Sequence, residues 1–393
     1  MNKNNAISNT LAEKKAITAL RMYLQKKIRV SFKELSLEKD YEYINGLYIK
    51  YPDNPSALIA KGYLEWRFGD KAKGESLFEK AFKIAKDTGY ELKGREIGIN
   101  TYLGTSCIDE DIIGTQPKFP DFNHVRVATA EHSIILAACD EIYFQKFGRA
   151  FTGICLKHSK GVVHIHVINP SKDTLRFFEN IQDTRISFST EQTEINSRSY
   201  YASSRFLVAP FILDAYDANV LILDIDSIVT RNVDPLIRAL ANGPEDVFVP
   251  TMPHAWNPWN YHLAGTVLLK NNPLMKEFFR HFSIYYDKAA QRLDANDNAW
   301  WIDQNSLYRA ILRLEKNGGQ AGNVKKYGTI VTGPQNLGKD EFSKLLNLYN
   351  NNIDFSGRAT TDGNDEFIAV LTPLLKHKGL AAMFLESFYD SCK

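Results

Sequence analysis

The feature that most constrains the fold is the run Val-Leu-Ile-Leu-Asp-Ile-Asp between Val220 and Asp226. Four consecutive apolar residues are typical of a central strand that is buried on both faces of a sheet. Residues two apart in a strand point to the same side, so Asp224 and Asp226 converge at the strand end, where open α/β sheets bind ligands. Two close carboxylates repel each other, and a divalent cation removes that repulsion. Oxygen ligands alone favour Mn²⁺ or Mg²⁺ over zinc.

The carboxylate pair leaves other interpretations open. An Asp pair at a strand end can instead cap the next helix or solvate a loop. The run also resembles the motif of haloacid-dehalogenase-type phosphatases, in which the first Asp after an apolar strand is the phosphoryl nucleophile. Asp224 would take that role, although Ser227 and Ile228 differ from the residues usual in that family.

Short apolar and β-branched runs in the later part of the chain predict strands: Ser133 to Cys139, Val162 to Ile168, Arg185 to Phe188, Val220 to Asp224, Val247 to Val249 and Thr266 to Leu269. Helical patterns lie between several of them, as at Tyr200 to Asp214 and Pro273 to Leu293. Strands that alternate with helices predict an α/β fold with a mainly parallel sheet covered on both faces.

The first hundred residues instead predict helices. Between Ala57 and Ala85 apolar residues recur at helical spacing, and Gly69-Asp70 interrupts them, which predicts two helices folded back on each other. This stretch resembles a tetratricopeptide repeat unit at four positions: Gly62, Gly69, Phe78 and Ala81. Gly74 stands where that family usually has alanine, and a generic helical hairpin explains the pattern nearly as well.

The change from helical patterns to strands that alternate with helices predicts two domains. A helical, tetratricopeptide-like domain with its linker covers residues 1–120, and an α/β domain covers residues 121–393. The linker is the stretch from Ile112 to Asn123, which contains one glycine and two prolines and has no clear periodicity. A helical array of this kind offers a surface for an acceptor or a protein partner.

Composition narrows the functional classes. The formal net charge of +2 gives no overall field for binding nucleic acid or an anionic membrane. The four cysteines form no Cys-x-x-Cys pair, which favours reduced thiols in a cytoplasmic protein. The amino terminus lacks the apolar stretch of a secretory signal, and no apolar run reaches the length of a membrane helix. We therefore expect a cytoplasmic protein, or one peripheral to the inner face of a membrane.

Several segments resemble glycosyltransferase family 8, whose members have the GT-A fold. The stretch from Ile135 to Phe144, ILAACDEIYF, is similar to the family's first strand and loop, which hold the uracil and ribose of the donor. The matching positions are Ala138, Cys139, Asp140 and Tyr143. An aromatic ring there can stack on a base while a carboxylate and backbone groups bind its edge.

The central block from Tyr200 to Leu236 resembles the family's helix, turn, strand and Asp-x-Asp motif almost without a gap. Arg205 matches the basic residue that faces the donor, and a guanidinium suits a diphosphate because its planar fork donates several hydrogen bonds. Without the resemblance, Arg205 would equally suit an exposed helix surface. The resemblance also places Asp224 and Asp226 on the metal.

Two further segments contribute candidate residues. Ala264 and Gly265 match the Ala-Gly under the donor sugar, whereas Leu263 replaces the family's usual asparagine. Asp303 and Gln304 match a pair near the sugar and acceptor and are the candidate catalytic residues, although Asp303 would also suit a helix cap.

The family's carboxy-terminal metal ligand has no clean copy in this chain. The segment His377-Lys378-Gly379 supplies a histidine for the metal and a lysine for the diphosphate, and Asp354 opens a similar segment with Asp in place of His.

The resemblance implies a metal-dependent glycosyltransferase of the EC 2.4, hexosyltransferase-like class. Its cofactor would be Mn²⁺ or Mg²⁺, its donor a nucleotide diphosphate sugar of the UDP type, and its acceptor a glycan or glycoconjugate in bacterial surface polysaccharide synthesis. A helical-repeat binding protein with a degenerate transferase domain is the non-enzymatic alternative, to which the replaced asparagine and the altered carboxy-terminal motif point.

Overall fold

The computed structural model describes residues 11–29, 37–104, 115–116, 118–121, 123–126, 128, 133–229, 231–253, 255–293, 298–327 and 331–332. The chain divides into two compact units. The helical unit comprises Met1–Pro117, Met252–Leu263 and Ser283–Arg309, and the α/β unit comprises Lys118–Thr251, Ala264–Phe282 and Ala310–Lys393.

The helical unit begins with four helices: α1 (Leu11–Arg29), α2 (Leu37–Lys50), α3 (Pro55–Phe68) and α4 (Lys71–Thr88). A 3₁₀ helix follows at Gly94–Thr101, and a shorter one lies at Pro258–Asn260. The predicted break at Gly69-Asp70 is confirmed, because α3 ends just before it and the Asp70 side chain caps α4 by accepting from the Ala72 N–H at 2.9 Å. Helix α4 ends at Gly89, whose φ of 66° suits a residue without a side chain.

Helices α3 and α4 approach each other very closely. A Cβ on Gly74 would lie 2.7 Å from the Trp66 backbone nitrogen, and a Cβ on Gly62 would lie 2.5 Å from the Phe78 ring. Both distances are shorter than real carbon contacts allow, so this hairpin needs glycine at both positions. That close approach explains why Gly74 departs from the alanine of the tetratricopeptide pattern; the resemblance itself stays a prediction.

An aromatic cluster fills the core of the helical unit. The Trp259 ring lies 5.2 Å from Phe78, 5.7 Å from Tyr102 and 5.8 Å from Tyr63, centroid to centroid. Its indole N–H donates to the Arg95 carbonyl at 3.0 Å, so the polar end of the buried ring is also satisfied. Sequence reasoning placed Trp259 in the other domain, because its local pattern does not reveal its long-range partners. The domain boundary at residue 120 stays a prediction.

The later helices follow in chain order: α5 (Glu141–Tyr143), α6 (Arg149–His158), α7 (Lys172–Asn180), α8 (Arg198–Tyr216), α9 (Asp234–Asn242), α10 (Leu274–Gln291) and α11 (Ile302–Lys316). A π-helical turn at Phe144–Gly148 joins α5 to α6, and a 3₁₀ helix lies at Val324–Tyr327. The division between the two units falls inside α10 and α11.

The strands of the α/β unit are β1 (Asn123–Arg126), β2 (Ser133–Asp140), β3 (Val162–Ile168), β4 (Ile186–Glu191), β5 (Asn219–Leu223), β6 (Ile228–Val229), β7 (Val247–Val249), β8 (Thr266–Leu269), β9 (Ala321–Asn323) and β10 (Val331–Thr332). Within the described residues, one sheet has the order β1-β4-β3-β2-β5-β8-β7-β9, and β6 pairs with β10 in a second.

Among the described strands the large sheet is mixed but mainly parallel, as predicted, since four of its seven pairings are parallel, including that of β7 with β9. Strands β4, β3, β2 and β5 are parallel neighbours, whereas β8 runs antiparallel to both β5 and β7, and β1 runs antiparallel to β4. An apolar strand buried on both faces has the same pattern in either direction, so the sequence does not specify the orientation of β8.

Strand β5 lies in the middle of this sheet, between β2 and β8. Its residues Val220 to Leu223 have no exposed surface, which confirms the prediction of a central strand buried on both faces. The parallel register with β2, in which Leu136 pairs with Ile222, brings the carboxyl ends of both strands to the same edge of the sheet. This geometry positions the candidate site.

Two sets of predicted residues lie outside the description. Part of the predicted linker, residues 112–114, 117 and 122, falls in undescribed stretches, and so does the whole segment that contains His377 and Lys378. Among the helices that the structure does describe, none has both the length and the apolar character needed to cross a membrane.

Candidate functional site

The chain leaves β5 directly into the carboxylate pair. The Asp224 N–H donates to the Gly265 carbonyl at 3.3 Å, and the Asp224 carbonyl accepts from the Ser227 N–H at 3.0 Å. The first bond ties the strand end to the chain just before β8, and the second forms a tight turn through Asp226. The turn therefore holds both carboxylates at the carboxyl edge of the sheet.

Arg205 connects helix α8 to this edge. Its Nη1 lies 2.9 Å from Asp224 Oδ1, and its Nη2 donates to the Ala264 carbonyl at 3.3 Å. The Arg205 side chain is only 4% exposed, whereas that of Asp224 is 40% exposed. The guanidinium is thus fixed behind the carboxylate, and the carboxylate keeps one side open to solvent. The structure brings Arg205, Asp224, Ala264 and Gly265 together.

Asp226 lies in an environment that disfavours its charge. Burial and the neighbouring Asp224 charge raise the pKa of Asp226 to about 6, although Arg205 and Lys146 act in the opposite direction. Two ionised carboxylates this close repel each other, and burial adds to the cost of the Asp226 charge. A divalent cation bound to them would remove that repulsion. Lys146, in the π-helical turn after α5, is a positive charge near the pair that sequence reasoning missed.

The residues at hand suit a hard divalent cation. Asp224 and Asp226 offer only oxygen atoms, as Mg²⁺ and Mn²⁺ prefer. A Cβ on Gly265 would lie 2.6 Å from Asp224 Oδ2, so glycine at this position keeps the space beside that oxygen clear. Within the described residues, no group of three or more His, Cys, Asp or Glu side chains is arranged around a metal position. His377, the predicted third ligand, lies outside those residues.

The neighbouring end of β2 supplies the second part of the site. Asp140 caps α5 by accepting from the Tyr143 N–H at 2.8 Å. The Tyr143 ring is 46% exposed and lies 5.3 Å from the Phe147 ring, which orients it without burying it. An exposed, oriented ring at a strand end is a suitable stacking surface.

Ala138 and Cys139 are placed differently from Tyr143. Both side chains are buried, and burial raises the pKa of the Cys139 thiol well above its usual value. Their side chains belong to the sheet, so only backbone groups of these residues can meet a ligand. For these two residues, the match to the family pattern therefore concerns side chains that pack inside the sheet.

Tyr201 is a further residue that sequence reasoning missed. Burial and the Asp140 charge raise the pKa of the Tyr201 hydroxyl, which places that phenol within electrostatic range of the end of β2. It stands one helical turn before Arg205 on α8, and residues four apart on a helix lie on the same face. That spacing is the sequence signal that would have found it.

Asp303 and Gln304 lie in the first turn of α11, among residues of the helical unit. The Asp303 carboxylate accepts from the Gln304 N–H at 2.8 Å, a local contact typical of an acidic residue at a helix start. Their predicted catalytic roles stay predictions.

No protein-family model and no curated protein matches this chain. Three similar solved structures are all glycosyltransferases. GlyE of Streptococcus pneumoniae TIGR4, in its apo form, is 18% identical with a TM-score of 0.35, over 50% of this chain and 46% of its own. LgtC, a galactosyltransferase in complex with donor and acceptor sugar analogs, is 18% identical with a TM-score of 0.31, over 49% of this chain and 72% of its own.

The third is the bifunctional WbbM in its apo form, at 14% identity and a TM-score of 0.35, over 71% of this chain and 60% of its own. The chain thus spans less than half the length of GlyE. Similarity at these scores shows nothing about the activity of this chain.

Proposed function

We propose that this protein is a metal-dependent glycosyltransferase of the GT-A type. It would move a hexosyl group from a nucleotide diphosphate sugar, UDP-linked, to an acceptor hydroxyl on a glycan or glycoconjugate of the bacterial surface. The observation that carries the proposal is the carboxylate pair at the end of the buried strand β5, with Arg205 fixed behind it and the pKa of Asp226 raised to about 6.

Asp224 and Asp226 would hold Mn²⁺ or Mg²⁺. When bound, the cation supplies a positive charge that stabilises the departing nucleoside diphosphate. Arg205, already oriented by Asp224 and the Ala264 carbonyl, would contribute the positive charge behind Asp224 that favours a diphosphate at this edge. Because it is nearly buried, its position costs little further ordering when the donor binds.

The rest of the donor would lie along the same edge. Tyr143 would stack on the base, and Asp140 would accept hydrogen bonds from the base or ribose. Gly265 would leave room for the sugar beside the metal. The catalytic roles predicted for Asp303 and Gln304 are kept as part of the proposal, as is the role of Lys378 at the diphosphate.

The metal role can be tested by calorimetry with UDP and Mn²⁺. We expect Asp224→Asn and Asp226→Asn each to weaken Mn²⁺-dependent UDP binding about a hundredfold or more, because each removes a ligand to the cation. Asp214→Asn is the matched control, since Asp214 is an exposed carboxylate on helix α8. Unchanged affinity in both site variants, with circular dichroism showing intact folds, would contradict the proposal.

The same variants distinguish the phosphatase alternative. A transferase should hydrolyse its nucleotide sugar slowly in the presence of metal, because water replaces the acceptor. A phosphatase would hydrolyse phosphate monoesters and be trapped by fluoroberyllate with Mg²⁺. Robust phosphatase activity in the unmodified protein that disappears in Asp224→Asn would overturn the transferase assignment.

A further inference from the structure

We propose that the helical unit contains a binding site for a neutral saccharide, separate from the carboxylate pair. The site is a cavity of about 380 Å³ between the turn that joins α2 to α3 and the carboxyl end of α4. This volume lies in the range of roughly 300–1,000 Å³ that is usual for small-molecule sites. All of its lining residues belong to the helical unit.

The floor of the cavity is a hydrogen-bonded network centred on Asn54, which is 6% exposed. Its Oδ1 caps α3 by accepting from the Ser56 N–H at 3.0 Å, and its Nδ2 donates to Glu13 Oε1 at 2.9 Å. The Tyr90 hydroxyl bonds Asn54 Oδ1 at 3.4 Å and Ser56 Oγ at 3.1 Å, and Arg21 Nη2 donates to it at 3.4 Å. These bonds hold the floor rigid before any ligand arrives, which lowers the entropic cost of binding.

The walls combine aromatic and polar groups. Tyr51 and Tyr90, both half-buried, line the cavity from its two sides, the α2–α3 turn and the segment after α4. Aromatic rings pack against the C–H faces of a pyranose, and carboxylates and amides bond its hydroxyls. A cavity that offers rings together with several hydrogen-bonding groups is suited to a ligand that is apolar on its faces and polar at its edges.

The charges around the cavity select a neutral ligand. Asp53 pairs with Lys80 and Glu91 pairs with Lys93, each at 3.0 Å, and Glu13 is bonded to the Asn54 amide. Two of the three carboxylates have a lysine counter-charge, and Glu13 leaves a single negative charge, so the rim repels a phosphorylated compound and has no cluster of uncompensated carboxylates to attract a basic peptide. The paired groups still offer both donors and acceptors to hydroxyl groups.

Saturation-transfer NMR on the full-length protein tests the proposal, with lactose, maltose, glucose and glucose 6-phosphate as probes. The buffer contains EDTA and no nucleotide, so the carboxylate pair cannot contribute metal-dependent binding. We expect transfer to at least one neutral saccharide. Tyr51→Ala removes a wall, and Thr88→Trp fills the rim from an exposed position; each should weaken binding roughly tenfold or more.

Two variants serve as controls and should bind like the unmodified protein. Tyr43→Ala removes a partly exposed tyrosine of α2 that does not line the cavity, and Asp224→Asn alters the carboxylate pair. The saccharide site is disproved if no neutral probe binds, if binding survives both cavity variants, if Asp224→Asn abolishes it, or if glucose 6-phosphate binds more tightly than glucose. A failure of Mn²⁺-dependent UDP binding would count against the transferase assignment only.

Discussion

Glu65 in the helical unit and Asp226 in the α/β unit are two largely buried carboxylates whose pKa values move in opposite directions. Burial acts to raise the pKa of Glu65, but hydrogen bonds and charge attraction from Lys61 and Lys73, at 2.8 and 3.0 Å, lower it to about 2. Burial and the Asp224 charge raise that of Asp226 to about 6. The Glu65 charge has two lysine partners, whereas the Asp226 charge is repelled by Asp224. A bound cation would remove that repulsion.

The largest effect is expected from Glu65→Gln, because it leaves the buried Lys61 ammonium without its counter-charge. We expect a loss of about 2–4 kcal/mol in the free energy of unfolding, measured in urea at pH 7. Lys73→Ala is the control: the Lys73 side chain is 58% exposed, so its loss should cost under about 1 kcal/mol. A smaller loss in Glu65→Gln than in Lys73→Ala would mean that Glu65 is not a structural charge.

The loss of unfolding free energy in Glu65→Gln depends on pH, and its direction follows from the lowered pKa of Glu65. The folded pKa of Glu65, about 2, lies below its unfolded value of 4.5. Its contribution is therefore fully present above pH 4.5 and is lost as the pH falls towards 2. The stability difference between the unmodified protein and Glu65→Gln should shrink over that window.

A second comparison uses glycines of the helical unit. Gly74→Ala should destabilise the protein by about 1–3 kcal/mol, because its Cβ would meet backbone atoms of α3. Gly46→Ala should instead stabilise it by about 0.5–1 kcal/mol, since Gly46 is an exposed position in α2 with nothing within 4 Å of an added Cβ. Thermal unfolding of both variants tests the close approach of α3 and α4, and equal melting temperatures would contradict it.

Asp226→Asn should change the free energy of unfolding in the opposite direction from Glu65→Gln. Ionising Asp226 costs the folded state free energy, so the amide should stabilise the ligand-free protein by about 1–2 kcal/mol at pH 7. The folded pKa of about 6 lies above the ordinary value of 3.8, so the gain should be full above pH 6 and disappear as the pH falls towards 3.8. Urea unfolding across this range measures it, and a destabilised variant at pH 7 would show that Asp226 is a structural charge.

The smallest change in stability is expected from Gly265→Ala. The added Cβ would push the flexible end of the Asp224 side chain rather than the backbone, so unfolding should change by under about 0.5 kcal/mol. Displacing that carboxylate should still weaken Mn²⁺-dependent UDP binding roughly tenfold. Calorimetry measures the UDP affinity and urea unfolding measures the stability, so the two effects can be separated. Unchanged UDP affinity would place Gly265 outside the site.

Much of the fold was predictable where local pattern decides structure. Strands β3, β7 and β8 have the predicted bounds, and the break between α3 and α4 lies where Gly69-Asp70 placed it. The direction of β8 was not predictable, because burial on both faces gives the same pattern in either orientation. The carboxylate pair was evident from its place after β5. Tyr201 could be recognised only by its four-residue spacing from Arg205, and Lys146 could not be recognised, since its relevance depends on which strand end its π-helical turn approaches.

The location of Trp259 has a consequence for how the protein is synthesised. Its indole completes an aromatic core whose other members, Tyr63, Phe78 and Tyr102, emerge from the ribosome more than a hundred residues earlier. At a translation rate of ~5–20 residues per second, those rings wait on the order of ten seconds or more for their last partner. During that interval the nascent hairpin exposes apolar surface, which makes it a target for chaperones and for premature association with its neighbours on a polysome.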